Sequence, residues 1–137
     1  MIKNFQNKFG KPDKTIFIIG DWSKEENMKG NEPTINKRFI RIFRNAGYKT
    51  YLINEFRTSK LCNCCNNPLE KFLEKLSKKP KNKGKTELCN GILRCKSVKH
   101  KCEIYHNRDK NAVKNMLNIV KSIFNTGKRP EIFCHSC

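Results

Sequence analysis

PTINKRFIRIFRNAGYKTYLINEF, residues 33–56, decides the fold class of this 137-residue chain. Pro33 opens a segment whose apolar residues Ile35, Phe39, Ile42, Phe43 and Ala46 recur at the spacing of one helical face, and Gly47 is a suitable terminator. A strand, Tyr48 to Phe56, follows at once. Upstream, across a polar loop from Ser23 to Glu32, the run TIFIIG at 15–20 predicts another strand, one suited to burial on both faces and closed by Gly20. Strand, helix, strand with short connections is a βαβ unit, which requires parallel strands and a right-handed crossover. The functional crevice of such an open sheet lies beyond the carboxyl ends of its strands, where Asp21 and Glu55 fall. The predicted class is therefore α/β.

Downstream the character changes. From Cys62 to Cys102 the chain is rich in Cys, Lys and Asn and has few residues able to build a core, so a bound metal would have to organise it. Pro68 to Leu76 reads as a short amphipathic helix through Leu69, Phe72, Leu73 and Leu76, and SKKPKNKGK, residues 77–85, as a solvated basic loop. Asp109 opens the last regular element, where Ala112, Val113, Met116, Leu117, Ile119, Val120, Ile123 and Phe124 recur at helical spacing up to about Asn125, with Thr126 and Gly127 ending it.

Eight cysteines in a chain that opens MIKNFQNKFGKP, without the apolar core of a secretory signal, point to metal ligation in a reducing intracellular compartment, cytoplasm or nucleus, rather than to disulfides. Cys62 and Cys65 form a C-x2-C pair, which lets both thiolates reach one ion. Cys95 and Cys102, six residues apart, can complete a tetrahedral zinc site, with Cys64 and Cys89 as nearby competitors. The terminal Cys134-His135-Ser136-Cys137 could form half of a second site, but no second half is evident, and it reads as an exposed tail.

Thirty Lys and Arg against 12 Asp and Glu give a formal charge of +18, a field that attracts nucleic acid. AT-rich codons would also enrich a chain in the 23 Lys, 17 Asn and 13 Ile found here, so charge alone is a weaker argument than charge joined to motifs. No apolar run is long enough to span a membrane. Asp109 beside Arg108, Glu55 and Asp21 are candidate ligands for the paired magnesium ions that phosphodiester-cutting enzymes hold with converging carboxylates. Each also has an ordinary reading, as a helix cap, a solvated acid or a turn residue.

The order EFRTSKLCNCC, then ILRC, then Cys102 followed after four residues by NRDKNAVKNML, resembles the C-terminal half of TnpB proteins and, more closely, of their eukaryotic and giant-virus relatives, the Fanzor nucleases. The likeness spans about residues 9–125 and is most specific over 54–65 and 93–118. It implies an RNA-guided, transposon-associated DNA endonuclease of the transposase type, with a partial RNase H-like (RuvC-like) fold at 9–60 and 103–125. A zinc-ribbon insertion at 61–102 and a short tail at 126–137 complete the expected division.

The same resemblance makes Asp109 the last catalytic Asp and Glu55 of NEFRTS a relocated catalytic Glu, with Asp21 a secondary candidate. It selects Cys62, Cys65, Cys95 and Cys102 as zinc ligands and places Arg57, Thr58, Ser59, Lys60 and Arg108 near the substrate strand. Zn2+ is then structural, Mg2+ catalytic, and DNA with a guide RNA the partner. The family's first catalytic Asp, its strand and its hairpin do not fit into the 14 residues before the first strand. The expectation is a truncated portion with weak or no cutting alone. Its alternatives are a non-catalytic zinc-ribbon module that binds DNA or RNA, and a half that docks onto a separately encoded N-terminal portion.

Overall fold

A computed structural model of the chain describes residues 1–21, 36–78, 80–97 and 105–135. They form a mixed α/β structure in two compact units, Met1–Asn54 and Glu55–Cys137.

The first unit is built on aromatic side chains. Helix α1 (Ile2–Phe9), strand β1 (Ile16–Gly20), helix α2 (Asn36–Asn45) and strand β2 (Lys49–Ile53) follow in order. β1 and β2 pair in parallel, with Ile16 opposite Lys49 and Gly20 opposite Ile53, as the βαβ pattern predicts. Parallel partners need a crossover, and α2 lies within it. Phe17 of β1 stacks on Phe43 of α2 with ring centroids 4.2 Å apart, and Phe39, Phe5 and Tyr48 close around this pair. Gly47 takes φ +86°, a left-handed conformation that ends α2 at little cost only in glycine.

Two expectations change here. β1 is not buried on both faces, since Ile16 is exposed and Phe17, Ile18 and Ile19 are half-buried. The second strand is shorter than Tyr48–Phe56, because the ladder with β1 ends at Ile53. Just outside it, Tyr48 turns inward and its hydroxyl donates to the Gly10 carbonyl at 2.8 Å. The predicted loop from Ser23 to Glu32, and Pro33 and Ile35, lie outside the described residues.

In the second unit, strands β3 (Leu69–Glu70), β4 (Glu74–Leu76), β5 (Thr86–Leu88), β6 (Ile92–Cys95) and β7 (Tyr105–Asn107) precede helix α3 (Arg108–Thr126), and a single 3-10 turn, Glu131–Phe133, follows. The strands make a three-stranded antiparallel sheet, β3-β6-β7, and a hairpin, β4-β5. This corrects the helix expected over Pro68–Leu76: the segment forms β3 and β4 instead. Its apolar residues fit either period, and pairing with β6 and β5 satisfies backbone groups that the ends of so short a helix would leave open. The hairpin β4-β5 is closed by Ser77 N–H donating to the Lys85 carbonyl at 2.9 Å, and Lys78, Lys81, Lys83 and Lys85 of the basic connection are exposed while Ser77 is buried.

Alternation along β6 and β7 separates two faces. Leu93, Cys95 and His106 are buried on one, while Ile92, Arg94, Tyr105 and Asn107 point outward. Helix α3 ends at Gly127, whose φ of +69° makes a left-handed cap. Cys134 and His135 of the tail are exposed, as expected, although Phe133 before them is buried and the His135 ring lies 3.7 Å from that of Phe56.

Candidate metal centre

Cys62 follows Leu61, which bridges to Pro68, and the six residues between them form a closed loop. Cys62 N–H donates to the Asn67 carbonyl at 2.8 Å and Asn66 N–H to the Cys62 carbonyl at 2.9 Å. Asn66 adopts φ +60°, a left-handed conformation that Asn tolerates better than most residues. The turn returns Cys65 toward Cys62. Cys95, at the inward-facing end of β6, approaches from the sheet.

The Sγ atoms of Cys62, Cys65 and Cys95 all lie within 4.8 Å of one another, and those of Cys65 and Cys95 are 3.5 Å apart. Thiolates bound tetrahedrally at about 2.3 Å from one zinc ion stand roughly 3.8 Å apart, so the three sulfurs fit zinc. Soft thiolate donors favour zinc over magnesium or calcium. Cys62 is fully buried and Cys95 nearly so. Cys102, the expected fourth ligand, lies outside the described residues. Cys64 is exposed and Cys89 half-buried, and neither belongs to the group.

His106 was not expected from the sequence. It is buried on the inward face of β7, with Nε2 3.5 Å from the Cys62 sulfur. With its proton on Nε2 the ring donates to a Cys62 thiolate, and such outer hydrogen bonds orient metal ligands. The position alternates with Tyr105 and Asn107, so strand periodicity was the signal available for it.

A second feature missed in the sequence is the pair Asn111 and Asn115. Both are almost fully buried, together with Ile119, on one face of α3. The Asn111 amide donates to the Thr58 carbonyl at 3.2 Å and the Leu61 carbonyl at 2.8 Å. The Asn115 amide donates to the same two oxygens at 2.7 and 2.8 Å. Asn111 Oδ1 also accepts from Asn63 N–H at 3.0 Å. The asparagines of the NRDKNAVKN motif thus hold α3 against the turn that presents Cys62 and Cys65. Two Asn four residues apart in an otherwise apolar pattern were the visible sign of it.

Of the expected carboxylates, Asp21 belongs to the first unit and Glu55 and Asp109 to the second. Asp21 directly follows β1, and its N–H donates to the Ile53 carbonyl at 2.8 Å. Glu55 opens the second unit, where its carbonyl accepts from the Thr58 N–H and hydroxyl. Asp109 is exposed in the first turn of α3. It is not the helix cap: Asn107 Oδ1 accepts from Asp109 N–H at 3.1 Å and Lys110 N–H at 3.0 Å. The cap reading of Asp109 therefore does not apply, and its carboxylate is available near the positive end of the helix dipole. Replacing Asn107 with Ala should destabilise the second unit by about 1 kcal/mol in denaturant titrations, while Asn107→Asp should retain most of that stability.

Of the expected nucleic-acid contacts, Arg57, Lys60 and Arg108 are exposed and Ser59 half-buried. Thr58 is buried, and its hydroxyl donates to the Glu55 carbonyl at 2.8 Å, so it shapes the turn. Arg57 takes φ +61°, and its Nη1 donates to the Ile132 carbonyl at 3.5 Å.

Three cysteine sulfurs brought together by a tight turn and a strand, with a motif helix pinned to that turn by buried amides, make a cluster able to hold a metal ion, an arrangement consistent with a zinc ribbon. The chain belongs to the Cas12f1-like TNB domain family, whose model matches residues 39–116, more than half of its length. That match bears out the resemblance to TnpB and its relatives and covers Cys62, Cys65, Cys95 and the NRDKNA motif. No curated protein matches the chain. Among the described residues no helix is long and apolar enough to cross a membrane.

Proposed function

We propose that this chain is a nucleic-acid-binding portion of a TnpB-type, RNA-guided DNA endonuclease, in which zinc organises the module that carries Asp109. The observation that carries this reading is the thiolate trio joined to a family match that runs into the NRD helix. The charge agrees with it, since residues 55–137 hold 19 Lys and Arg against 7 Asp and Glu. Phosphate neutralisation by such a surface supplies affinity without sequence preference.

In this reading Zn2+ has a structural role. Cys102 joins the trio as fourth ligand, Asp109, Glu55 and Asp21 are ligands for catalytic Mg2+, and Arg57, Ser59, Lys60 and Arg108 contact the strand being processed. The residues at 9–60 and 103–125 belong to one RuvC-like nuclease domain interrupted by the ribbon. Bound magnesium would activate water and stabilise the leaving oxygen in phosphodiester hydrolysis. Guide RNA, transposon association and an intracellular, reducing compartment follow from the same kinship.

Fluorescence anisotropy with a labelled DNA oligonucleotide tests the binding. The zinc-loaded chain should bind at about 50 mM salt and lose affinity steeply towards about 200 mM. Absence of binding at the lower salt excludes the proposal. Asp109→Ala should leave affinity within about twofold, because a metal-ligating carboxylate adds no phosphate contact of its own. Any magnesium-dependent nicking that survives in this variant would remove Asp109 from the site.

A further inference from the structure

We infer that the outward face of the β3-β6-β7 sheet is a stacking platform for single-stranded nucleic acid, with Tyr105 as the ring that receives a base. The inference rests on the nucleic-acid reading above and gives it a surface and a strand type.

Glu70 pairs with Arg94 across β3 and β6, and Arg94 with Tyr105 across β6 and β7, so the three side chains form one row on that face. Phe72 lies against the row. Its ring stacks on Tyr105 with centroids 5.1 Å apart and planes 26° from parallel, and the Arg94 guanidinium sits 5.1 Å above the Phe72 centroid. Tyr105 nevertheless remains 58% exposed. Here one surface of the phenol is backed by Phe72, while more than half of the residue stays exposed.

The charges beside it favour a polyanion. Glu70 accepts from Arg94 Nε at 2.7 Å and also pairs with Arg94 Nη2 and Lys96. Lys96, followed by Arg94, holds the Glu70 carboxyl below its usual range, so it stays ionised and fixes both cations in place. Two cations against one carboxylate leave a net positive charge beside the row that carries Tyr105. Aromatic rings backed by ordered Arg and Lys are the features with which proteins bind single strands, the bases stacking and the backbone following the cations. A duplex offers no unstacked base to such a ring. The single strand is therefore the occupant that suits this face.

The test compares a 20-nucleotide oligothymidine with a blunt duplex of the same length, using anisotropy on the full, zinc-loaded chain. Tyr105→Ala and Tyr105→Leu should each weaken single-strand binding about tenfold, leave duplex binding within about twofold, and leave the salt slope unchanged. Tyr105→Phe, which keeps the ring, should bind like the parent. Zinc content and circular dichroism check that the variants are folded, and Leu retains apolar contact with Phe72 if Ala does not. If the parent binds DNA and the Ala and Leu variants bind the single strand equally well, the platform is wrong while the nucleic-acid reading survives. Equal losses on single strand and duplex would also overturn the platform. A parent chain that binds neither probe ends both proposals.

Discussion

Cys62→Ser should abolish stoichiometric zinc binding and unfold the second unit, whereas Cys64→Ser, one residue from the same turn, should do neither. Cys62 is fully buried, and its sulfur lies within 4.8 Å of those of Cys65 and Cys95 and 3.5 Å from His106 Nε2. Cys64 is exposed and outside the group. The sheets around the site are two to four residues long, too short to be stable by themselves. Structural zinc in small modules contributes about 10–16 kcal/mol of apparent binding free energy at neutral pH, and that energy is folding energy. Metal analysis after gel filtration should give one zinc per parent chain and essentially none for Cys62→Ser. A strong chelator should reproduce the variant's loss of structure in the parent, and zinc should restore it. Equal zinc in Cys62→Ser would eliminate the site. Cys102→Ser should also lower zinc content if the fourth ligand is the one that spacing and kinship indicate.

The second large effect is expected from the two buried asparagines, and its form matters more than its size. Each amide gives one N–H to the Thr58 carbonyl and one to the Leu61 carbonyl, so each oxygen receives two donors. Removing either side chain leaves both carbonyls with one partner. Removing both leaves two buried acceptors with none, which costs their desolvation as well as the lost bonds.

Asn115→Ala should cost about 1–2 kcal/mol, a figure held down because its own Oδ1 is already buried without a partner. Asn111→Ala should cost more, about 2–3 kcal/mol, since it also strips the acceptor from Asn63 N–H. The double variant should exceed the sum by about 1–3 kcal/mol, the range found for residues within one hydrogen-bond network. Urea denaturation of the four zinc-loaded proteins measures this cycle. Additive losses, or a larger loss at Asn115 than at Asn111, would mean that the shared carbonyls are not what the pair secures.

These asparagines also show where sequence reading stops. The apolar periodicity of 109–125 correctly predicted α3, and Gly127 closes it as expected. It did not identify the face that packs. Val113, Leu117, Ile123 and Phe124 are exposed, while Asn111, Asn115 and Ile119 are buried. A hydrophobic pattern says which residues prefer to leave water, but two carbonyls presented by a neighbouring turn can make an amide the better occupant of a buried position. Local period was ambiguous at Leu69–Leu76 too. Only partner strands β6 and β5 decided in favour of sheet. Helix α1 was missed although Ile2, Phe5 and Phe9 share helical spacing, and the rings of β1 and α2 give Phe5 its partners.

The sequence by itself determined the parallel strand pair with its helix, the candidacy of Cys62, Cys65 and Cys95 as metal ligands, and the kinship carried by NRDKNA. These depend on residue type at short spacing: β-branched runs, a C-x2-C turn, a motif. Tertiary structure alone decided that Asn107 rather than Asp109 caps α3, that Asn111 and Asn115 hold the knuckle, that His106 faces Cys62, and that Tyr105 is left on an open face. The Asn107 cap rests on partners two and three positions away, but the asparagine and His106 contacts rest on partners more than 40 away, so those relations exist only once folding has brought the groups together.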